Sequence, residues 1–303
     1  MKGIILAAGS GTRLYPVTRA VAKPLLPVYD KPMMYYPLTL LIQAGIRDIM
    51  MIISEKDLDS FRRVFGNGSK LGISITYGIQ KEPRGIADAL LVASDFIAGD
   101  SVCLILGDNV IYGRGLKREM RRAVKKTEQE HKATVFGCYV EDPRAFGVIG
   151  FDDENRPVSI TEKPAEPASN YAVIGLYFYD SRAVEIAENL EPSARGELEI
   201  TDVNKAYLEA GDLDVTLLDK KVSWFDAGTF DSLVDTISFV RRIQYEYDCI
   251  IGCPEEAAYA NGWITLDELR SLGEEMSKSG YGKYLIALAV RNARSNTTMN
   301  KYR

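Results

Sequence analysis

Residues 3–14 read GIILAAGSGTRL, and this stretch decides the fold. The apolar run Gly3-Ile4-Ile5-Leu6 has the length and composition of a buried strand. It empties into Gly9-Ser10-Gly11-Thr12-Arg13. Glycines let backbone amides converge on phosphate oxygens, and Arg13 can add a two-pronged charge contact. Two glycine loops are excluded. The dinucleotide fingerprint G-x-G-x-x-G fails because Leu14 stands at its third glycine, and a Walker A loop fails because no Gly-Lys-Ser/Thr follows. On glycine spacing alone, an ordinary strand-to-helix turn and an anion-gripping loop both stay open.

Outward from this stretch, strand-like runs alternate with helix-like ones, the pattern of a parallel sheet with crossover helices. Strands are expected at Lys2–Leu6, Asp48–Ile53, Ile73–Tyr77 and Val102–Leu106. Helices are expected at about Met33–Ala44, Leu58–Phe65 and Ile86–Phe96, with Gly45 in the left-handed position that ends the first. A polar helix over about Leu116–Glu130 leads into a strand at Ala133–Val140. Short strands at Gly147–Phe151, Val158–Glu162 and Val173–Tyr179 read as mixed or antiparallel additions that build a second lobe over the sheet's edge. From Asp231 onward the pattern is helical, to a polar tail at Ser295–Arg303 that is expected to be mobile. The fold class is α/β: a Rossmann-like mixed, mainly parallel sheet flanked by helices, with an added lobe and a helical C-terminal part.

At 303 residues the chain is one large domain or two modest ones, with 46% apolar and 26% charged residues. The net charge of −5 and the absence of long like-charge runs argue against a nucleic-acid partner. No 18-residue apolar stretch and no secretory leader pattern is present, so a cytoplasmic protein without a membrane partner is expected. Cys103, Cys138, Cys249 and Cys253 lack paired C-x-x-C spacing and read as small buried thiols. His131 is the single histidine and lies in the polar run Glu128–Lys132, where it is expected to be solvated. Histidine-dependent hydrolysis has nothing to work with.

Chemistry can collect at the carboxyl ends of parallel strands. Leu104-Ile105-Leu106-Gly107-Asp108-Asn109 runs an apolar strand out into a carboxylate, which reads either as a Mg²⁺ ligand or as an Asx turn. Lys23, in Ala22-Lys23-Pro24-Leu25-Leu26-Pro27, reads as a surface lysine or as a charge held in a rigid turn. Thr161-Glu162-Lys163-Pro164, Arg195-Gly196-Glu197-Leu198-Glu199-Ile200-Thr201-Asp202 and Val222-Ser223-Trp224-Phe225-Asp226-Ala227-Gly228-Thr229 each concentrate charge beside a turn. Each alone would read as a salt bridge or a cap.

Together and in this order, these motifs resemble the sugar nucleotidyltransferases, and within them the branch that transfers a thymidylyl group. The resemblance runs from about Met1 to Ala289 and includes Tyr29-Asp30-Lys31-Pro32-Met33 and Ser169-Asn170-Tyr171-Ala172-Val173. It implies a chemistry that needs no histidine, because a sugar phosphate is already largely a dianion, with a second pKa of about 6. The protein supplies in-line alignment and charge neutralisation. The implied substrates are dTTP and glucose 1-phosphate, the implied cofactor is Mg²⁺, and the implied assembly is a homotetramer.

By the same resemblance, Arg13, Lys23, Asp108 and Asp226 are the catalytic set, and Asp108 and Asp226 hold the metal. Leu6, Ala8, Gly9, Gly11, Thr12, Arg13, Lys23, Pro83 and Asp108 contact the nucleotide, whose base is read by Gln80 and Gly85. Gly147, Glu162 and Val173 contact the sugar, while Lys163 and Arg195 hold its phosphate. The implied division is a nucleotidyltransferase domain at 1–240, with a nucleotide-binding core at about 1–140 and a sugar-binding part at about 141–230. Residues 241–303 form a C-terminal helical segment with regulatory and oligomer contacts. Family members are inhibited by a downstream deoxysugar nucleotide at a second site, and the product feeds a dTDP-rhamnose pathway.

Five positions depart from the family pattern. Ala8 replaces a glycine, Asp88 stands at a usual glutamine, Ala227 at a usual threonine, Arg114 at a usual histidine, and Ala260 near a usual arginine. Asp88 bears on the nucleobase, and Arg114 and Ala260 predict weak or altered feedback. Donors UTP or CTP, another hexose 1-phosphate, and a non-catalytic paralogue that binds a nucleotide sugar are the competing readings.

Overall fold

A computed structural model describes residues 1–300, with side chains through Arg294. Strand β1 (Lys2–Leu6) lies at its centre and is flanked by parallel partners on both sides. After it come three short 3-10 turns and the two-residue strands β2 (Pro27–Val28) and β3 (Lys31–Pro32). The first α-helix, α1 (Tyr35–Ala44), is buried almost all round and ends at Gly45 in the expected left-handed conformation. Strands β4 (Asp48–Ile53) and β5 (Ser74–Ile79), with helix α2 (Leu58–Phe65) between them, complete one flank. The expected helix over Ile86–Phe96 is two pieces, α3 (Asp88–Val92) and α4 (Ser94–Ile97), before β6 (Val102–Leu106).

The second half begins with β7 (Asn109–Gly113), α5 (Leu116–Glu130) and β8 (Ala133–Tyr139). Strands β9 (Gly147–Phe151), β10 (Pro157–Glu162) and β11 (Tyr171–Tyr179) follow, then α6 (Arg182–Glu188) and α7 (Ile200–Glu209). Strand β12 (Leu213–Leu217) pairs with β8, and β13 (Val222–Asp226) forms an antiparallel ribbon with β7. Helices α8 (Phe230–Tyr247), α9 (Pro254–Ala260), α10 (Leu266–Glu275) and α11 (Gly280–Asn300) close the chain. The mobile tail expected at Ser295–Arg303 falls on residues 301–303, which lie outside the described residues, and on the last residues of α11, whose side chains do too.

The sheet order is β10-β9-β11-β6-β1-β4-β5, with β8 also beside β11 and β12 beside β8. The parallel core is β6-β1-β4-β5, and the later strands join it antiparallel through β11. These are the mixed and antiparallel additions expected from the sequence, and they continue the same nine-stranded sheet beyond its parallel core. The reason lies in β11, whose nine residues reach two partners along one side. Its second half pairs with β6 and its first half with β9, and its pairing with β8 shifts register between Val173 and Tyr177. Gly175 thereby lies tight against Leu106 and Asn109 at the carboxyl end of β6.

Strand alternation assigns the two sheet faces. Ile5, Ile105 and Phe178 join one core with α1, α5 and the C-terminal helices, through residues such as Leu38, Met120, Leu269 and Leu285. Ile4, Leu104 and Tyr177 join the other, with Leu90, Ala183, Val203 and Tyr207. A smaller cluster around Val28, Tyr36, Val110, Ala227 and Val240 seats α8 against the β7–β13 ribbon.

Candidate active site

The loop after β1 runs only into a single 3-10 turn at Thr12–Leu14 and not into an α-helix, so the ordinary strand-to-helix turn is excluded: α1 begins only at Tyr35. Thr18 Oγ1 donates to the carbonyl of Gly11 at 2.7 Å and folds the loop back on itself. Among the described residues, the backbone N–H groups of Ala8, Gly9, Ser10 and Gly11 donate to no protein acceptor. Four such amides at a strand's carboxyl end make a concavity suited to an anion.

Lys23, in a 3-10 turn of the same loop, is buried. Its ammonium lies 2.6 Å from Asp108 Oδ2 and 3.9 Å from Asp226 Oδ1. Asp108 follows β6 and Asp226 ends β13, so the sheet and the ribbon deliver two carboxylates to one cation. The surface-lysine and free Asx-turn readings are both excluded. Burial pushes the Asp108 carboxyl up, but Lys23 and the hydrogen bonds from Lys23 and Asn109 outweigh it and hold the group below its ordinary value. Burial, and then the charge of Asp108, raise Asp226 above its ordinary value against the pull of Lys23, Arg13 and Lys163.

Asp226 Oδ1 is buried and has no hydrogen-bond donor. An oxygen donor left over in this way fits a hard divalent cation. Among the described residues no cluster of three His, Cys, Asp or Glu side chains gathers, so such a cation would take its other ligands from phosphates and water. Ala227 offers no hydroxyl here; its methyl is fully buried in the apolar cluster beneath α8.

Arg13, Lys23, Asp108, Leu6, Gly9, Gln80, Pro83 and Gly85 line one cavity of about 330 Å³. Gly85 has φ +108°, and a Cβ there would meet the Leu198 backbone at 2.4 Å. That closeness is a backbone seam: the N–H of Leu198 donates to the Arg84 carbonyl, and the N–H of Ala87 donates to the Leu198 carbonyl. The loop carrying Pro83 and Gly85 is thereby stitched to the segment carrying Arg195. Ala8, Gly11 and Thr12 belong to the loop but not to the cavity lining.

The residues expected on the sugar side form a neighbouring cluster. Glu162 ends β10, accepts a hydrogen bond from Thr201 Oγ1, and lies 3.6 Å from Lys163 and 3.4 Å from Arg195. A Cβ on Gly147 would sit 3.4 Å from the same carboxylate. Val173 is buried on β11 at the register shift. Lys163 is close enough to bias Asp226, which joins this cluster to the acidic pair. Arg195 is also bonded to the buried Glu199 through two 2.8 Å contacts.

Three partners escaped the sequence reading. Asn109, 2% exposed, donates to Asp108 Oδ1 at 2.9 Å and accepts from Trp224 Nε1 at 2.6 Å and from the Gly175 N–H at 3.2 Å. It ties β11 and Asp108 to the ribbon that carries Asp226. A Cβ on Gly228 would meet Asp226 Oδ1 at 2.7 Å and Arg13 Nη2 at 2.9 Å, so a side chain there would displace one of the two charged groups. Glu197 joins the cavity lining. Each stands inside a quoted motif, which was the available signal.

Elsewhere the chain meets expectation. His131 is exposed at the end of α5, and all four cysteines are free, Cys103 and Cys253 buried as expected but Cys138 and Cys249 only half-buried. Tyr112, Gly113 and Ala260 line a separate cavity of about 300 Å³, whereas Arg114 lies with Asp214 along another depression. Among the described residues no helix is long and apolar enough to cross a membrane.

The family model for nucleotidyl transferase matches residues 2–242. Over 288 residues the chain is 52% identical to the glucose-1-phosphate thymidylyltransferase of Neisseria meningitidis serogroup A, covering 95% of this chain and 99% of that one. It is 50% identical over 291 residues to the Mycolicibacterium smegmatis protein of the same name, covering 96% and 100%. A Bacillus anthracis crystal structure assigned to the same enzyme, in complex with a sucrose, superposes with a TM-score of 0.73 at 42% identity, covering 80% and 95%. A UDP-glucose pyrophosphorylase superposes with a TM-score of 0.70 at 21% identity, covering 80% and 98%, a likeness of fold alone. The chain therefore belongs to the nucleotidyl transferase family, among the glucose-1-phosphate thymidylyltransferases.

Proposed function

We propose that the protein transfers a thymidylyl group from dTTP to α-D-glucose 1-phosphate, giving dTDP-glucose and pyrophosphate. The observation that carries this reading is the meeting of four free loop amides and Arg13 with the buried Lys23 between two half-buried carboxylates. The names of the relatives support the choice of substrates.

A phosphate oxygen of the sugar phosphate attacks the α-phosphorus, and the bond from that phosphorus to the bridging oxygen of pyrophosphate breaks. No base is required, since the attacking phosphate has a second pKa of about 6. The Ala8–Gly11 amides and Arg13 hold the triphosphate, with Leu6 and Thr12 beside them. Lys23 neutralises the α-phosphate and the leaving oxygens. Lys163 and Arg195 hold the sugar's phosphate, while Gly147, Glu162 and Val173 seat the glucose. Gln80, Pro83 and Gly85 receive the base. Asp108 and Asp226 would hold Mg²⁺, which supplies charge neutralisation at the phosphates when bound. Action in the cytoplasm as a homotetramer, and a place before deoxysugar synthesis, belong to the same reading.

The test offers dTTP, UTP and CTP separately with glucose 1-phosphate and Mg²⁺, and follows pyrophosphate release and nucleotide-sugar formation. The reading expects dTTP to be used best. Loss of all activity with the three donors overturns it, and a preference for CTP overturns the choice of base.

A further inference from the structure

Asp88 is the acid that departs from the family pattern, and the structure gives it a definite task. It opens α3 and is 4% exposed, among Ala87, Ala89 and Leu90. A carboxylate so placed must be paired. Its Oδ2 accepts from Gln80 Nε2 at 2.8 Å, and its Oδ1 lies 3.7 Å from Arg84 Nε. Gln80 is itself 7% exposed, and its Nε2 makes a second, longer contact to the Gly85 carbonyl at 3.4 Å.

Both partners of that amide nitrogen are acceptors. A carboxylate and a backbone carbonyl offer no proton, so the chemistry admits only one orientation of the Gln80 amide. Its NH₂ faces Asp88 and Gly85. Its Oε1 takes no hydrogen bond from the described residues, and Gln80 lines the cavity that holds Leu6, Pro83 and Gly85. The cavity is thus offered a fixed acceptor.

We propose that Asp88 is a specificity-determining positioning residue, which locks the Gln80 carbonyl toward the base and so selects a pyrimidine that carries a ring N3–H. The inference rests on the reading above that Gln80 meets the base. Thymine and uracil both present N3–H and satisfy that carbonyl. Cytosine presents a bare N3 lone pair, so acceptor would face acceptor. Turning the amide would suit cytosine, but it would aim Oε1 at the Asp88 carboxylate and lose the 2.8 Å bond. A buried polar atom facing a like partner is the strongest source of discrimination available to such a pocket.

The test compares the parent with Asp88→Ala and the near-isosteric Asp88→Asn. For each, kcat/KM is measured with dTTP, dUTP and dCTP, and binding of the same nucleotides is measured by titration calorimetry. In Asp88→Ala the dTTP to dCTP ratio falls about tenfold or more, while the dTTP to dUTP ratio stays within twofold. Asp88→Asn can accept from or donate to Gln80, so its ratio falls part of the way; it also serves if the alanine variant fails to fold. A dTTP to dCTP ratio within twofold of the parent in the folded variants overturns the proposal. So does a parallel loss with all three nucleotides, the mark of a merely structural role. If no nucleotide sugar forms at all, the proposed reaction falls, and the binding ratios still judge Asp88.

Discussion

Lys23 Nζ and Asp108 Oδ2 are 2.6 Å apart in a half-buried setting, with Asp226 Oδ1 a further neighbour at 3.9 Å. An ammonium from the first loop thus occupies the space that two carboxylates from distant parts of the chain would otherwise contest. The free site carries its own counter-charge.

Removing that charge has two opposite effects. Lys23→Ala leaves the carboxylates mutually repelling, so a divalent cation binds the free protein more tightly than it binds the parent. Turnover nonetheless falls by about a hundredfold or more, because a charge-assisted contact to phosphate is worth about 1.5–3 kcal/mol and more where charge develops. Titration with Mn²⁺ and steady-state kinetics check both halves. Weaker cation binding in the variant would contradict the first.

Asp108→Asn and Asp226→Asn each cut turnover by orders of magnitude while the fold stays intact. Because the two act as one unit, the double variant is little worse than the worse single variant. Near-parental rates for Asp226→Asn at saturating Mg²⁺ and both substrates would remove the pair from the mechanism.

Asn109 holds Asp108 by a hydrogen bond to Oδ1. Asn109→Asp keeps the shape and the acceptor for Trp224 and Gly175, but sets a second carboxylate against Asp108. The expected result is about a tenfold to hundredfold loss of kcat/KM together with an altered Mg²⁺ dependence, at little cost in KM for glucose 1-phosphate. A loss of thermal stability with unchanged metal dependence would assign Asn109 to the scaffold only.

Lys163→Ala and Arg195→Ala raise KM for glucose 1-phosphate far more than KM for dTTP, each by about 1.5–3 kcal/mol. Arg195 also neutralises the buried Glu199, so its variant melts at lower temperature than the Lys163 variant. Equal rises in both KM values would contradict the assignment.

Far from the site, Glu255 is buried and accepts from Tyr281, beside Cys253. Burial pushes its carboxyl above the ordinary value of 4.5 despite that hydrogen bond. The folded state therefore holds the proton more tightly than the unfolded chain, and this contribution to stability is full below 4.5 and lost as pH rises through the folded value. Glu255→Gln removes the loss. Its melting temperature relative to the parent rises with pH from about 4.5 upward, and a flat difference would contradict the sign.

The parallel core was readable because Ile4-Ile5, Met51-Ile52 and Leu104-Ile105 are continuous apolar runs with both faces buried. The ribbon of β7 and β13 was not, since its short, half-polar strands gain their pairing from residues more than a hundred positions apart. The site shows the same division. Arg13, Lys23, Asp108 and Asp226 stand out as charges beside turns. The link of Asn109 to Trp224, the passage of Arg13 over Gly228 and the lock of Asp88 on Gln80 are contacts in space, and no spacing along the chain encodes them.

The double backbone bond between Leu198 and the Arg84–Ala87 turn makes a single gauge for two parts of the candidate site. One end of that gauge bears Gly85 and the other bears Arg195, three residues before Leu198. A one-residue insertion between Arg195 and Leu198 would leave the turn in place but shift the guanidinium by one chain step, about 3.3–3.8 Å. That exceeds the tolerance of an in-line reaction, where a misplacement of about 1 Å can cost about a hundredfold. The segment can vary in side chains but not in length.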